Sequence, residues 1–309
     1  MIGVTEEEKH SGDDGARVDA ADDRSGEQLS EKEAVLRELM CEEEQKGARA
    51  REVWQALKKE AEKTAAGEER LRPLLTDIFL ERTCFGTSVV ARLSRKLSRE
   101  DMPRNELVPL LTEILEEHPE LVEDMAVDLA AIYERDPACT SIVQPILYYK
   151  GFLAISTYRL SHQLWKNGRE ALALYFQGLA SEVFGVDIHP AARIGCGIFL
   201  DHATSVVVGE TSIIEDDVSI LHEVTLGGTG KVSGARHPIV RSGVLIGAGA
   251  KILGRVEIGT GAKIGAGSVV LADVKPHTTV AGVPAVAVGR SLEENPARAM
   301  DQSLCCSGL

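Results

Sequence analysis

Aromatic residues are scarce in this chain, at 4% of its 309 residues. That shortage excludes a core built on stacked rings and suits a narrow interior filled by Ile, Leu and Val. Long apolar runs are missing too; none approaches the ~20 residues that span a bilayer. The N-terminus (Thr5-Glu6-Glu7-Glu8-Lys9) lacks the apolar stretch of a secretory signal and the Arg-rich, acid-poor character of a transit peptide. Positive charge is in deficit. The net charge is −14, and residues 1–69 hold 20 acidic against 11 basic residues. Such a chain repels phosphate backbones, which argues against nucleic acid as a partner. Cys41, Cys84, Cys139, Cys196, Cys305 and Cys306 include no C-x-x-C pair, so they read as free thiols of a reducing compartment. The expected location is cytoplasmic, with no membrane partner.

What the chain has in abundance is a period of six. Aliphatic residues recur at Ile188, Ile194 and Leu200, then Val208, Ile214, Ile220 and Leu226, then Ile246, Ile252, Ile258, Ile264 and Val270. There is one two-residue slip and one long interruption. No helix or ordinary strand has this period. It marks a β-solenoid in which three six-residue sides form one coil of a triangular prism and stacked coils share a core. Gly follows the aliphatic at 195, 247, 259 and 265, where the chain must turn.

Upstream the pattern changes. Leu107, Leu110, Leu111, Ile114 and Leu115, and likewise Leu153, Ile155, Tyr158, Leu160 and Leu164, recur at threes and fours, as in amphipathic helices. Asp101-Met102-Pro103, His118-Pro119 and Asp136-Pro137 punctuate them. Four regions are expected: a disordered acidic tail over 1–28, a helical domain over 29–186, the solenoid over 187–290, and a flexible C-terminal tail over 291–309. The interruption of the repeat, from Gly227-Gly228-Thr229-Gly230-Lys231 to Arg236-His237-Pro238, reads as a loop expelled from a prism corner. Its Gly-rich start lacks the spacing of a Walker phosphate loop.

Histidine supplies the candidate chemistry. Asp187-Ile188-His189-Pro190, Asp201-His202-Ala203-Thr204 and Arg236-His237-Pro238 each set an imidazole near a charged side chain. A carboxylate can fix a histidine tautomer and raise its basicity. Asp187 and Asp201 are 14 residues apart, which suggests neighbouring coils near one corner. His189 and His222 read as polar corner residues, and His277 as a solvated turn.

These motifs, with Val208-Gly209-Glu210-Thr211, Val224-Thr225-Leu226-Gly227-Gly228-Thr229-Gly230-Lys231, Ala281-Gly282-Val283-Pro284-Ala285, Arg135-Asp136-Pro137-Ala138 and Leu147-Tyr148-Tyr149-Lys150-Gly151-Phe152, closely resemble the serine O-acetyltransferases. The resemblance runs from about Arg51 to Arg290. It implies an α+β fold: an N-terminal all-helical domain followed by a C-terminal left-handed parallel β-helix of hexapeptide repeats. It also implies transfer of acetyl from acetyl-CoA to the hydroxyl of L-serine, giving O-acetyl-L-serine for cysteine biosynthesis. His202 would be the general base, Asp187 its orienting partner, and His237 a donor to the oxyanion. Asp136, Asp201, Arg236 and Glu210 would form the serine site, with Arg236 on the carboxylate. Gly228, Ala248, Gly249 and Ala266 would hold acetyl-CoA, with Lys231, Lys251 and Lys263 as candidate phosphate partners. No metal is expected. L-cysteine is the implied inhibitor, and a homotrimer or dimer of trimers the implied assembly. Family members that dock into O-acetylserine sulfhydrylase usually end in isoleucine; this chain ends Ser307-Gly308-Leu309, a departure that bears on that partner.

Three other readings compete. A hexapeptide acyltransferase with another acceptor is the nearest. A β-helical metal-dependent lyase would need His202, His222 and His237 to converge on zinc. A catalytically silent scaffold would bind serine without releasing CoA.

Overall fold

The computed structural model of the chain describes residues 32, 48–230, 233–291 and 293–303. The acidic segment 1–28, Lys231 and Leu309 lie outside the described residues. Helices fill the described residues ahead of Val186. In α1 (Ala48–Gly67), Val53, Leu57, Ala61 and Ala65 form one buried stripe at fourfold spacing. Next come α2 (Phe85–Leu97), α3 (Arg104–Glu117) and α4 (Glu120–Arg135). Prolines set their limits as the sequence suggests. Pro103 and Pro119 immediately precede α3 and α4, and α4 stops before Asp136-Pro137. The short α5 (Val143–Tyr148) leads to α6 (Lys150–Lys166), and α7 (Glu170–Phe184) packs back on α6 across Asn167-Gly168.

From Val186 the chain coils. β1 (Val186–Ile188), β2 (Arg193–Ile194) and β3 (Phe199–Leu200) are the three sides of the first coil. The first face continues through β4 (Val206–Val208), β7 (Thr225–Gly227), β10 (Lys251–Leu253) and β13 (Val269–Val270). The second adds β5 (Ile213–Ile214), β8 (Ile239–Val240) and β11 (Glu257–Ile258). The third adds β6 (Ser219–Ile220), β9 (Leu245–Ile246), β12 (Lys263–Ile264) and β14 (Thr278–Gly282). All these pairings are parallel; only β15 (Ala285–Arg290) runs antiparallel, on β14. The sixfold aliphatics are buried inside, apart from the half-buried Ile194 of the first coil. No aromatic residue follows Phe199, and Ile, Leu, Val and Ala make up most of the core of the later coils.

The register measures each coil. Leu226 stacks on Val208 and Val270 on Ile252, eighteen residues apart. Val208 lies twenty residues from Ile188, and Ile252 lies twenty-six from Leu226. The slip therefore adds two residues to one coil and the loop adds eight to another. Asp187 is in register with Val207, so a spacing of 14 does not bring it over Asp201. Asp187 sits in the middle of the first face; Asp201 sits at the corner after β3.

Two arginines of the helices and their carboxylate partners fasten the helices to the coils. Arg159 makes paired bonds to Asp128 (2.7 and 2.9 Å) and donates to the Gly195 carbonyl (2.8 Å), while Asp128 accepts from the Ile198 N–H (2.9 Å). Arg135 binds Asp217 at 2.5 Å and the Gly197 carbonyl at 2.9 Å. Closest approach comes at Gly151, where an added Cβ would lie 2.1 Å from the Leu200 carbonyl. Only glycine allows this contact, which brings the start of α6 against the strand leading to Asp201.

Of the tail expected over 291–309, the described residues 293–303 make contacts with the prism. Pro296–Ala299 forms a short helix whose buried Ala297 accepts from Ser219 Oγ (2.8 Å). Lys263 Nζ holds the Ser303 carbonyl at 2.6 Å and Asp301 at 3.5 Å. Backbone and charge make these contacts, which leave no apolar period to read. Among the described residues, no helix is long and apolar enough to cross a membrane.

Candidate active site

The two-residue slip falls at the corner between β3 and β4. The extra residues force left-handed backbone at His202 (φ 54°), Ala203 (57°) and Ser205 (59°). Each costs roughly 1–3 kcal/mol and persists only where the surroundings fix it. Here the Ser205 N–H donates to the Gly185 carbonyl and the Glu223 N–H to the Thr204 carbonyl, both at 2.7 Å, and Ala203 is fully buried. The same bulge throws His202 outward, leaving its side chain 76% exposed.

Beside it lies a cleft of about 760 Å³. Asp136, Tyr149 and Lys150 line it from the helices, Asp201 and His202 from the corner, and Met300 from the C-terminal segment. Asp201 Oδ1 is 3.8 Å from His202 Nε2. Burial raises the pKa of Asp201; His202 opposes the rise and Asp136 reinforces it. Asp136 is held at the end of α4, where its Oδ1 accepts from the Ala138 N–H (2.8 Å). Behind it, burial pushes the Cys139 thiol up to about 12 and raises the Tyr149 hydroxyl, so both stay protonated. Lys150 Nζ donates to Thr204 Oγ1, tying α6 to the His202 corner.

A second group occupies the opposite edge of the first face. Glu210 sits at the corner after β4 and Arg236 and His237 in the expelled loop after β7. Arg236 Nη2 binds Glu210 Oε2 at 2.7 Å, and this bond holds the Glu210 carboxyl below its ordinary range. Thr211 organises the loop. Its Oγ1 accepts from the N–H groups of Arg236 (2.9 Å) and His237 (3.1 Å), and its own N–H donates to His237 Nδ1 (3.1 Å). Arg255 closes the corner from the next coil, donating to the carbonyls of Thr211 (2.9 Å) and His237 (3.0 Å). The imidazole packs against Gly209, where an added Cβ would come within 2.1 Å of the ring. Burial lowers the His237 pKa, and Arg236 lowers it further.

The structure thus brings Asp136, Asp201 and His202 together on one edge and Glu210, Arg236 and His237 on the other. Three strand residues separate the edges, about 10 Å at the rise of a β-strand. Asp187 lies between them on β1, where its Oδ1 accepts from Gln177 Nε2 (2.6 Å). No hydrogen bond joins Asp187 to His202 among the described residues. His222 is beneath His202 and His237 is on the far edge, so the three imidazoles nominated for zinc do not converge within one chain. Of the residues proposed for acetyl-CoA, Ala248, Gly249 and Ala266 continue the His202 edge down successive coils, whereas Gly228 lies beside Arg236 and His237. Lys251 Nζ caps the Glu223 and Gly249 carbonyls along the His202 edge. Lys263 is on the third face, engaged with the C-terminal segment.

Sequence reasoning gave no role to Thr211, Arg255, Lys150 or Tyr149. Thr211 and Arg255 follow corner glycines of stacked coils, so aligning coils by register rather than by count would have put them together. Lys150 and Tyr149 come from the helical half, and no periodicity there points to a site.

The chain is similar to known proteins over both halves. Residues 53–157 match the family model described as serine acetyltransferase, N-terminal, and residues 237–272 match the bacterial transferase hexapeptide model. The serine acetyltransferase of Salmonella typhimurium is 51% identical over 250 residues, covering 81% of this chain and 92% of that protein. A serine acetyltransferase solved in complex with cysteine is 49% identical with a TM-score of 0.80, covering 82% of this chain and 98% of that one. The Brucella abortus enzyme in complex with coenzyme A is 48% identical with a TM-score of 0.76, covering 77% and 96%. The Neisseria gonorrhoeae enzyme in complex with serine is 46% identical with a TM-score of 0.74, covering 76% and 96%.

Proposed function

The chain belongs to the serine acetyltransferase family, and from that premise we propose how its own residues carry acetyl from acetyl-CoA to the hydroxyl of L-serine. The products are O-acetyl-L-serine and CoA, the activated serine that cysteine synthesis requires. The observation that carries the assignment is the exposed imidazole of His202 at the mouth of a cleft lined by Asp136 and Asp201.

An alcohol is a weak nucleophile at neutral pH, and general-base assistance supplies typically ~10²–10⁴-fold. His202 accepts the serine hydroxyl proton as the oxygen attacks the thioester carbonyl. The tetrahedral oxyanion then meets a fixed donor. His237 suits this role, because the Thr211 N–H occupies Nδ1 and leaves a neutral ring with its proton on Nε2. Collapse of the intermediate expels the CoA thiolate, which takes the proton back from His202. Asp136 and Asp201 face the serine ammonium. The Arg236 fork binds its carboxylate, with Glu210 holding the guanidinium in place. Asp187 orients whichever imidazole reaches the middle of the face.

Because the two half-sites lie on opposite edges of one chain, we propose that each complete site forms between two copies. A cyclic trimer places the His202 edge of one copy against the Arg236–His237 edge of the next; pairing of helical domains would make a dimer of trimers. Acetyl-CoA would lie along the His202 edge, where the corner narrows to Ala248, Gly249 and Ala266. The coenzyme A complex of the Brucella protein supports that class of ligand. Cysteine carries the same ammonium and carboxylate as serine with a thiol for the hydroxyl, so it would compete for the same cleft; the cysteine complex of a relative supports this.

The test is a thiol-release assay with acetyl-CoA and a panel of amino acids, run beside His202→Ala and His202→Asn. Release that depends on serine and falls by about 10²-fold or more in both variants is expected. Release with equal rates in the variants would remove His202 from the mechanism.

A further inference from the structure

We infer that His222 is a positioning residue for His202, holding the base's ring from the coil below. The inference rests on the reading of His202 as the base. The two residues occupy the same corner place in successive coils, since Leu200 pairs with Ile220 and each histidine lies two residues on. Their rings meet edge to face, with centroids 5.8 Å apart and planes at 79°. This is a favoured geometry for aromatic pairs.

Within its own chain, His202 has little else to hold it. Its side chain is 76% exposed, and the Asp201 carboxylate at 3.8 Å is beyond hydrogen-bond reach. An imidazole so placed would sample several rotamers, yet a general base must stay within hydrogen-bond reach of the hydroxyl it deprotonates. His222 is the firmer partner. Its carbonyl accepts from the Gly249 N–H at 2.9 Å, and the next residue, Glu223, donates to Thr204 at 2.7 Å. These bonds tie its corner to the coils on either side.

Two further facts separate this role from ordinary corner packing. The corner does not demand a large side chain, because the next two coils carry Ala248 and Ala266 at the same place. Nor is His222 held for a hydrogen bond at its buried nitrogen: Nδ1 has no partner among the described residues. Burying such a nitrogen is unfavourable, so the ring itself is what the site uses. Asp201 feels both imidazoles, which places the pair and the carboxylate in one group.

The experiment compares His222→Ala, His222→Phe and wild type in the full-length oligomer, measuring kcat, both KM values, thermal unfolding and the NMR signal of the His202 ring. His222→Ala is expected to lower kcat roughly two- to tenfold, the equivalent of one aromatic pair. Both KM values should change less than kcat, and the His202 Cε1–H signal should shift as the ring current is lost. His222→Phe, which keeps a ring at that place, should recover most of the rate. An unchanged kcat and unchanged His202 signal in His222→Ala would overturn the inference. So would His222→Phe proving as slow as His222→Ala at equal thermal stability. If wild-type protein released no CoA with serine, the reading of His202 as base would fail instead, and the His202 signal would still report whether His222 holds that ring.

Discussion

The backbone N–H of Thr211 points at Nδ1 of His237, 3.1 Å away, and so decides which nitrogen of that ring is free to donate. A neutral His237 then offers Nε2–H, the polarity an oxyanion needs. His237→Ala is expected to lower kcat about 10²–10³-fold, the usual cost of losing one such donor, with serine KM changed far less. A kcat within twofold of wild type would assign the oxyanion to other donors.

Gly209 makes that ring position available. A methyl group there would collide with the imidazole at 2.1 Å. Gly209→Ala should therefore imitate His237→Ala in kcat and lower folding stability by about 1–3 kcal/mol, the cost of an overpacked contact. Full activity with normal unfolding would show that the ring can move aside freely.

The serine site divides its charges, and variants should report the division. Asp136→Asn is expected to raise serine KM roughly 10–100-fold, the loss of one charge-assisted hydrogen bond, and leave the KM of acetyl-CoA nearly unchanged. Arg236→Ala should do the same from the carboxylate side. Equal effects on both substrates would contradict the clamp. Asp136→Asn should also let the raised pKa of Asp201 fall, since Asp136 is one of its causes.

Burial is the main force lowering the pKa values of His162, His189 and His237. The unfolded chain therefore binds more protons at these positions just below its ordinary histidine pKa of about 6.5. Their contribution to stability is full above that pH and is lost as the pH falls through the window beneath it. His162, which donates from its ring to the Pro190 carbonyl at 2.7 Å, gives the cleanest test. The drop in denaturant midpoint between about pH 7.5 and 5.5 should be smaller in His162→Gln than in wild type. A larger drop in the variant would reverse the sign of the argument.

The solenoid was legible because its core repeats: every sixth aliphatic from Ile188 to Val270 faces the interior, with only Ile194 less than buried. Helices and their proline limits were legible for the same reason, since period and backbone restriction are local properties. The slip between Leu200 and Val208 was visible as well. Its consequence was not, because a corner bulge at His202 depends on the coil below. Spacing misled at Asp187 and Asp201, where a coil of twenty residues rather than fourteen sets the register. The return of Pro296–Ala299 to the prism left no pattern, being held by Ser219 Oγ on the Ala297 carbonyl and by the Lys263 ion pair.

The central claim is that two edges of different copies make one site. Subunit mixing tests it most directly: His202→Ala and His237→Ala chains, each nearly inactive alone, are co-expressed and the mixed oligomer is purified. If the edges belong to neighbouring copies, about one site in four receives both intact residues in a randomly mixed ring, and serine-dependent CoA release returns to about that fraction of wild type. Mixed oligomers as inactive as either parent would show that one chain supplies both residues, and the account of a shared site would be wrong.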